Sequence, residues 1–191
     1  LEFLKNNFAG GVDNFLCFSE GERDEEAVSA RKRLAEEKDY SAALEYFPKH
    51  LKYERILIDH LSKYKNDYAG AVNKLPRNLQ LLFIHAFQSY LFNNELKKLL
   101  ESKKWTGSEE LDLIGYESQT TPEQDLALQE FGLTKESFQL KTLSYLSSRG
   151  SKRKAFVKVN DFSILSEDPL KLRFSLGSGS YATVVIDYLL E

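Results

Sequence analysis

The sequence has no methionine, one cysteine, four prolines and three histidines in 191 residues. A lone thiol, Cys17, makes neither an intrachain disulfide nor a Cys-based metal site, and it suits a reducing compartment. Its neighbours Phe15, Leu16 and Phe18 point to a buried thiol. No apolar run reaches the roughly 18 residues that cross a bilayer, and no signal-peptide pattern opens the chain, so the expectation is a soluble intracellular protein with no membrane partner. GxSxG, HExxH and family-typical Cys/His arrangements are missing, so no catalytic residue is nominated. His50 and His60 lack a carboxylate or thiol in ligand spacing with both, so no metal is expected. The lack of methionine even at position 1, and the abrupt apolar opening Leu1–Phe3, lead us to expect a piece of a longer chain.

What the chain does have is helical periodicity. Over Leu75–Leu100, LPRNLQLLFIHAFQSYLFNNELKKLL, the apolar residues Leu79, Leu82, Phe83, Ala86, Phe87, Tyr90, Leu91 and Leu96 recur at steps of three to five. Pro76 fits the first turn, where its missing N–H costs nothing, and Lys97 and Lys98 suit the negative end of the helix dipole. Leu81 and Ile84 widen the stripe, leaving Gln80, Gln88 and Asn94 as the polar face of a helix inside the protein, with His85 as a satisfied core group.

Around it the first hundred residues read as a helical array. An apolar opening segment breaks at Gly10-Gly11, between a helix ending near Phe8 and a second through Cys17. An acidic stretch, Glu20 to Glu26, precedes a helix at its favourable N-terminal end. Asp39 caps a helix over Tyr40–Phe47, and Leu51 to Tyr64 carries the next. A short helix begins between Asn66 and Ala71. After Ser102 the texture changes: Leu111–Tyr116 reads as a strand, Thr121-Pro122 opens a helix that Gly132 stops, and Thr134–Glu136 begins a helical turn. From Ala155 alternation predicts strands, with Tyr181–Tyr188 as a last β-branched run, so the final forty residues read as three strands.

Between the two textures lies Ser147–Lys158, SSRGSKRKAFVK, with five basic residues and no acid, although net charge is −3 overall. Gly150 flanked by serines predicts a turn that lifts Arg149, Lys152, Arg153 and Lys154 out of the core. The segment fits either a solvated turn or a phosphate contact, for which the arginine forks are suited. Gly177-Ser-Gly-Ser-Tyr181 reads as a hairpin turn between strands and lacks the lysine of a phosphate-gripping loop.

One stretch goes further. Pro76-Arg-Asn-Leu-Gln-Leu-Leu-Phe-Ile-His-Ala-Phe-Gln-Ser-Tyr-Leu-Phe-Asn93 resembles the most recognisable segment of the TruD family of tRNA pseudouridine synthases, particularly its archaeal and eukaryotic members. Ala30–Leu61, Leu146-Ser-Ser-Arg-Gly150 leading to Arg153, and Phe174–Val185 are similar to other family stretches in the same order. Departures exist: Gly177 stands where members usually have proline, and the Lys-Asp-Lys/Arg motif that carries the family's catalytic aspartate is not in this sequence. The chain thus looks like the C-terminal half of such an enzyme.

The resemblance implies an α+β fold: a mainly helical TRUD insertion domain over residues 1–148 and, over 149–191, strands belonging to a mixed α/β catalytic domain. It implies cofactor-free isomerisation of uridine to pseudouridine in tRNA, at the family's target uridine 13, through base flipping and an aspartate. Its partner would be tRNA or another structured RNA, in the cytoplasm or, for a eukaryotic protein, the nucleus. Arg149, Lys152, Arg153 and Lys154, with Arg77, are the expected RNA contacts. Gln88, Tyr90 and Asn93 carry the family motif, either structurally or as RNA contacts, and Ser180 and Tyr181 are placed near the cleft. The alternative is a catalytically inactive RNA-binding or interaction module.

Overall fold

The computed structural model describes residues 1–190. In chain order a 3₁₀ turn, Glu2–Lys5, leads into α1 (Phe8–Cys17), α2 (Glu25–Glu37), α3 (Tyr40–Tyr46), α4 (Lys52–Lys63), α5 (Tyr68–Asn73) and α6 (Arg77–Ser102). Then follow β1 (Glu110–Leu113), α7 (Pro122–Gln129), two further 3₁₀ turns, β2 (Ser151–Lys154), β3 (Asn160–Glu167), β4 (Leu170–Ser175) and α8 (Ala182–Leu190). The fold is α+β. Two compact units divide it: Leu1–Asn93 with Leu113–Ser151, and Asn94–Asp112 with the chain from Lys152 onward.

In the first unit local chemistry sets the helix starts. Asp24 accepts from the backbone N–H groups of Glu26 and Ala27, and Asp39 from those of Ser41 and Ala42, filling donors that a helix leaves orphaned. Thr121 and Gln124 form a reciprocal capping box ahead of α7. The helices then close a core in which Leu16, Leu34, Leu57, Ile58, Ile84, Leu128 and Phe138 are sealed from solvent. Each such side chain contributes about 1.5–3 kcal/mol relative to exposure. One ion pair lies among them: Arg31 donates to Glu54 Oε1 at 2.6 Å and to the carbonyls of Phe15 and Leu16.

Gly10 and Gly11 do not break the first helix; both lie inside α1. Asn7 caps it by accepting from the Gly10 N–H at 3.0 Å, and a Cβ at position 11 would press on the Phe3 ring. Glycine there serves close packing rather than termination.

α6 begins after Pro76 as its sequence predicts, and Ile84, Phe87 and Leu91 of its apolar stripe are buried, but part of the two faces is exchanged. Gln80 and Gln88 are buried, whereas Leu82 is 57% exposed and His85 faces solvent instead of the core. A helix that is apolar nearly all round gives no decisive stripe, so its neighbours choose the buried side. Gln80 Nε2 donates to the Leu75 carbonyl at 2.6 Å, which removes the cost of burying that amide.

The second unit holds the hairpin β3–β4, antiparallel with Ile164 opposite Leu172 and Glu167 opposite Leu170. The third expected strand is not there, and the first is shorter than its alternation suggests. Residues 155–159 are irregular, and Tyr181–Tyr188 lies mostly in α8, a helix. A helix satisfies its backbone internally, whereas a strand there needs a partner edge, and this outweighs the β-branched preference of Val184, Val185 and Ile186. Accordingly Gly177–Tyr181 joins a strand to a helix rather than turning a hairpin.

Candidate nucleic-acid interface

The basic segment is a strand where the sequence predicted a turn. Ser151, Lys152, Arg153 and Lys154 form β2, all four exposed, in a two-stranded sheet with β1. Pairing with β1 replaces the expected loop, because its backbone groups find partners there, as when the Ala155 N–H donates to the Glu109 carbonyl at 2.8 Å. β1 brings Glu110 and Asp112 alongside, which tempers the positive field.

The Leu146–Gly150 segment just before β2 is fixed at almost every group. Leu146 is buried, Ser147 Oγ accepts from the Leu140 N–H, and the Ser148 N–H donates to the Phe138 carbonyl. The carbonyls of Ser148 and Arg149 accept from the N–H groups of Tyr116 and Glu117. Here Gly150 adopts φ +95°, and a Cβ at the buried Gly115 would overlap the Ser148–Gly150 backbone, so two glycines permit the crossing.

Gln88 is tied into this crossing. Its Nε2 donates to the Ile114 carbonyl at 2.6 Å and to Ser148 Oγ at 2.9 Å, so the two stretches that carry the sequence resemblance meet in space. Tyr90 packs against Phe87 and edge-on to Phe131 with about half its surface exposed, and Asn93 faces solvent. Arg77 is exposed, its guanidinium 5.8 Å from the centre of the Tyr145 ring. The Tyr145 hydroxyl lies 2.6 Å from Gln80 Oε1 and from Asn73 Oδ1. Arg149 is exposed and pairs with Glu117 at 3.7 Å. Arg77, Gln88, Tyr90, Asn93 and Arg149 belong to the first unit, and Lys152, Arg153, Lys154, Ser180 and Tyr181 to the second. Ser180 closes the Gly177 turn through its N–H, and Tyr181 is 67% exposed.

Sequence reading missed Trp105, which stacks on Phe156 at 5.0 Å within the second unit while remaining 48% exposed. The only signal was its rarity as the single tryptophan.

The thiol of Cys17 is half buried, and burial pushes its pKa up, away from reactivity. Each of His50 and His60 faces one carboxylate, Asp24 at 3.1 Å and Asp67 at 2.8 Å. Among the described residues no group of three or more His, Cys, Asp or Glu is placed to hold a metal ion. Nor is any helix among them long and apolar enough to cross a membrane.

The profile of the family described as tRNA pseudouridine synthase D (TruD) matches residues 1–127 and 111–188. The chain belongs to that family. A Methanopyrus kandleri protein named "Probable tRNA pseudouridine synthase D" is 31% identical, over 94% of this chain and 50% of its own length. A Thermoplasma volcanium protein of the same name is 30% identical, over 96% of this chain and 54% of its own. The chain therefore spans about half the length of these curated relatives. The crystal structure of a Methanosarcina mazei TruD superposes with a TM-score of 0.82 at 23% identity, over 97% of this chain and 55% of that one, a likeness of fold.

Proposed function

We propose that this chain is the RNA-holding part of a TruD enzyme that isomerises uridine to pseudouridine in tRNA, with uridine 13 as its target. The N1–C1′ bond breaks, the base turns, and C5 bonds to C1′, while C5 loses a proton and N1 gains one. The reaction is redox-neutral and balances without a cofactor. An aspartate supplied by the Lys-Asp-Lys/Arg motif, which this sequence lacks, would act on the flipped base. Flipping needs a firm hold on the flanking backbone and a place for the extruded base.

We assign residues 1–148 to the TRUD insertion and residues 149–191 to the part that returns to the catalytic domain, in a cytoplasmic enzyme. The observation that carries the RNA role is β2: its three successive cations are exposed directly after a crossing pinned by Gln88, Gly115 and Gly150. Pairing with β1 holds the backbone of these long, flexible cationic side chains, which favours phosphate contact over an incidental solvated turn.

The test is binding of unmodified tRNA across a salt series, for this chain and for a variant with Arg149, Lys152, Arg153 and Lys154 all changed to alanine. The variant is expected to lose affinity and several units of the log–log salt slope, at roughly 0.9 for each phosphate it no longer neutralises. Equal behaviour of the two would return β2 to a solvated role. Tritium release from C5-labelled tRNA by the complete protein that carries this chain separates the enzyme from an inactive binding module.

A further inference from the structure

A second basic surface lies wholly in the first unit. Between α3, α4 and the end of α5 is an open hollow of about 700 Å³, faced by Lys49, Lys52, Arg55, Lys63 and Lys74 against a single acid, Asp59. Helical spacing brings Lys52, Arg55, Asp59 and Lys63 to one side of α4. Two of these charges are already engaged. Arg55 donates to the carbonyls of Leu44 and Phe47, and Lys63 pairs with Asp59. Lys49, Lys52 and Lys74 are exposed and form no ion pair among the described residues, although the Asp67 carboxylate lies near enough to Lys74 for the two charges to act on each other.

The cations do not converge on a point. Lys52 and Lys63 stand at opposite ends of α4, and eleven residues at 1.5 Å each separate them by roughly 16 Å along the axis. One inorganic phosphate cannot reach both; a strand carrying several phosphates can. The wall also offers an aromatic face. Tyr64 is 60% exposed, and its ring packs at 5.0 Å, tilted by 34°, against His60, which the Asp67 carboxylate holds at 2.8 Å. Cations along a track beside an exposed ring are the elements with which proteins grip an RNA backbone and stack an unpaired base. An acidic peptide would use the charges and leave the ring idle.

We propose that this hollow is a second RNA-backbone site, separate from β2 and built on α4. The inference rests on the reading that the chain handles tRNA, and it adds where the first unit would take hold.

The experiment is fluorescence anisotropy of unmodified tRNA with the whole chain between 50 and 300 mM salt. The probe variant combines Lys49→Ala, Lys52→Ala and Lys74→Ala. Its control combines Lys32→Ala, Lys98→Ala and Lys141→Ala, an equal loss of charge at exposed lysines outside the hollow. The hollow variant should bind about tenfold more weakly with a salt slope lower by roughly two to three units, and the control should change far less. If the two variants behave alike, the hollow is not a site. If polyglutamate of matching length competes as well as RNA, the occupant is an acidic chain and the proposal is wrong. Tritium release by the complete protein reads the enzymatic assignment separately: conversion with unchanged tRNA affinity in the hollow variant overturns the hollow alone.

Discussion

In the first unit Leu16, Leu34, Leu57, Ile84, Leu128 and Phe138 are closed to solvent, whereas in the second Phe162, Ile164, Leu165, Leu170, Val184 and Tyr188 stand 46 to 80% exposed. Both regions are rich in apolar residues, so composition does not explain the contrast. Helices carry their own backbone hydrogen bonds and present stripes that neighbouring helices cover, as α1 to α7 do here. Two two-stranded sheets, the end of α6 and one short helix have too few partners to cover their apolar faces. Burial also decides how polar groups behave. The first unit encloses the Arg31–Glu54 pair, His60 and three glutamines, Gln80, Gln88 and Gln124, and the second holds no buried polar side chain among the described residues.

The largest effect expected from this contrast is at Glu54. Glu54→Ala leaves the Arg31 guanidinium buried without its carboxylate and should cost about 3–5 kcal/mol, read by urea unfolding of the chain. Next comes Gln88→Ala, which withdraws a donor from the Ile114 carbonyl and Ser148; a loss of about 1–3 kcal/mol is expected in the same unfolding measurement.

A milder probe is alkaline pH. Burial, helped by hydrogen bonding to Tyr68 and the Asp13 charge, pushes the Tyr40 hydroxyl well above its ordinary range. A folded pKa above the unfolded one means that this contribution is complete below about pH 10, where unfolded tyrosine titrates, and is lost as pH rises further. Thermal unfolding from pH 8 to 11 should show that fall, and Tyr40→Phe should flatten it. The smallest change is expected in the second unit: Val184→Ser with Tyr188→Ser, at exposed sites, should stay within about 0.5 kcal/mol of the parent. A large loss there would break the comparison.

Legibility in the sequence follows the same division. Asp24, Asp39, Thr121 and Gly132 announce helix ends because caps and stops act within a few residues. Ile84, Phe87 and Leu91 were legible as the buried stripe of α6, but the burial of Gln88 was hidden, since its partners Ile114 and Ser148 are distant in sequence. α8 was hidden as well, because β-branched residues name a strand only where a partner edge exists. Of the candidate interface, Arg149 to Lys154 were visible as a run of charge. Lys49, Lys52 and Lys74 were not, because acids and apolar residues separate them along the chain and only the packing of α3, α4 and α5 gathers them. The meeting of Gln88 with Ser148 was likewise beyond any local pattern.

Amide hydrogen exchange of the chain with and without unmodified tRNA is the most direct test, because one experiment reads both the contrast between units and the RNA contact. Slow exchange is expected in α1, α4 and the buried part of α6, fast exchange in β3, β4 and α8, and new protection on adding tRNA in β2 and along the Lys49–Lys74 segment. Equal protection of the two units without RNA, together with no change in β2 when tRNA is added, would contradict both the contrast and the RNA-holding role.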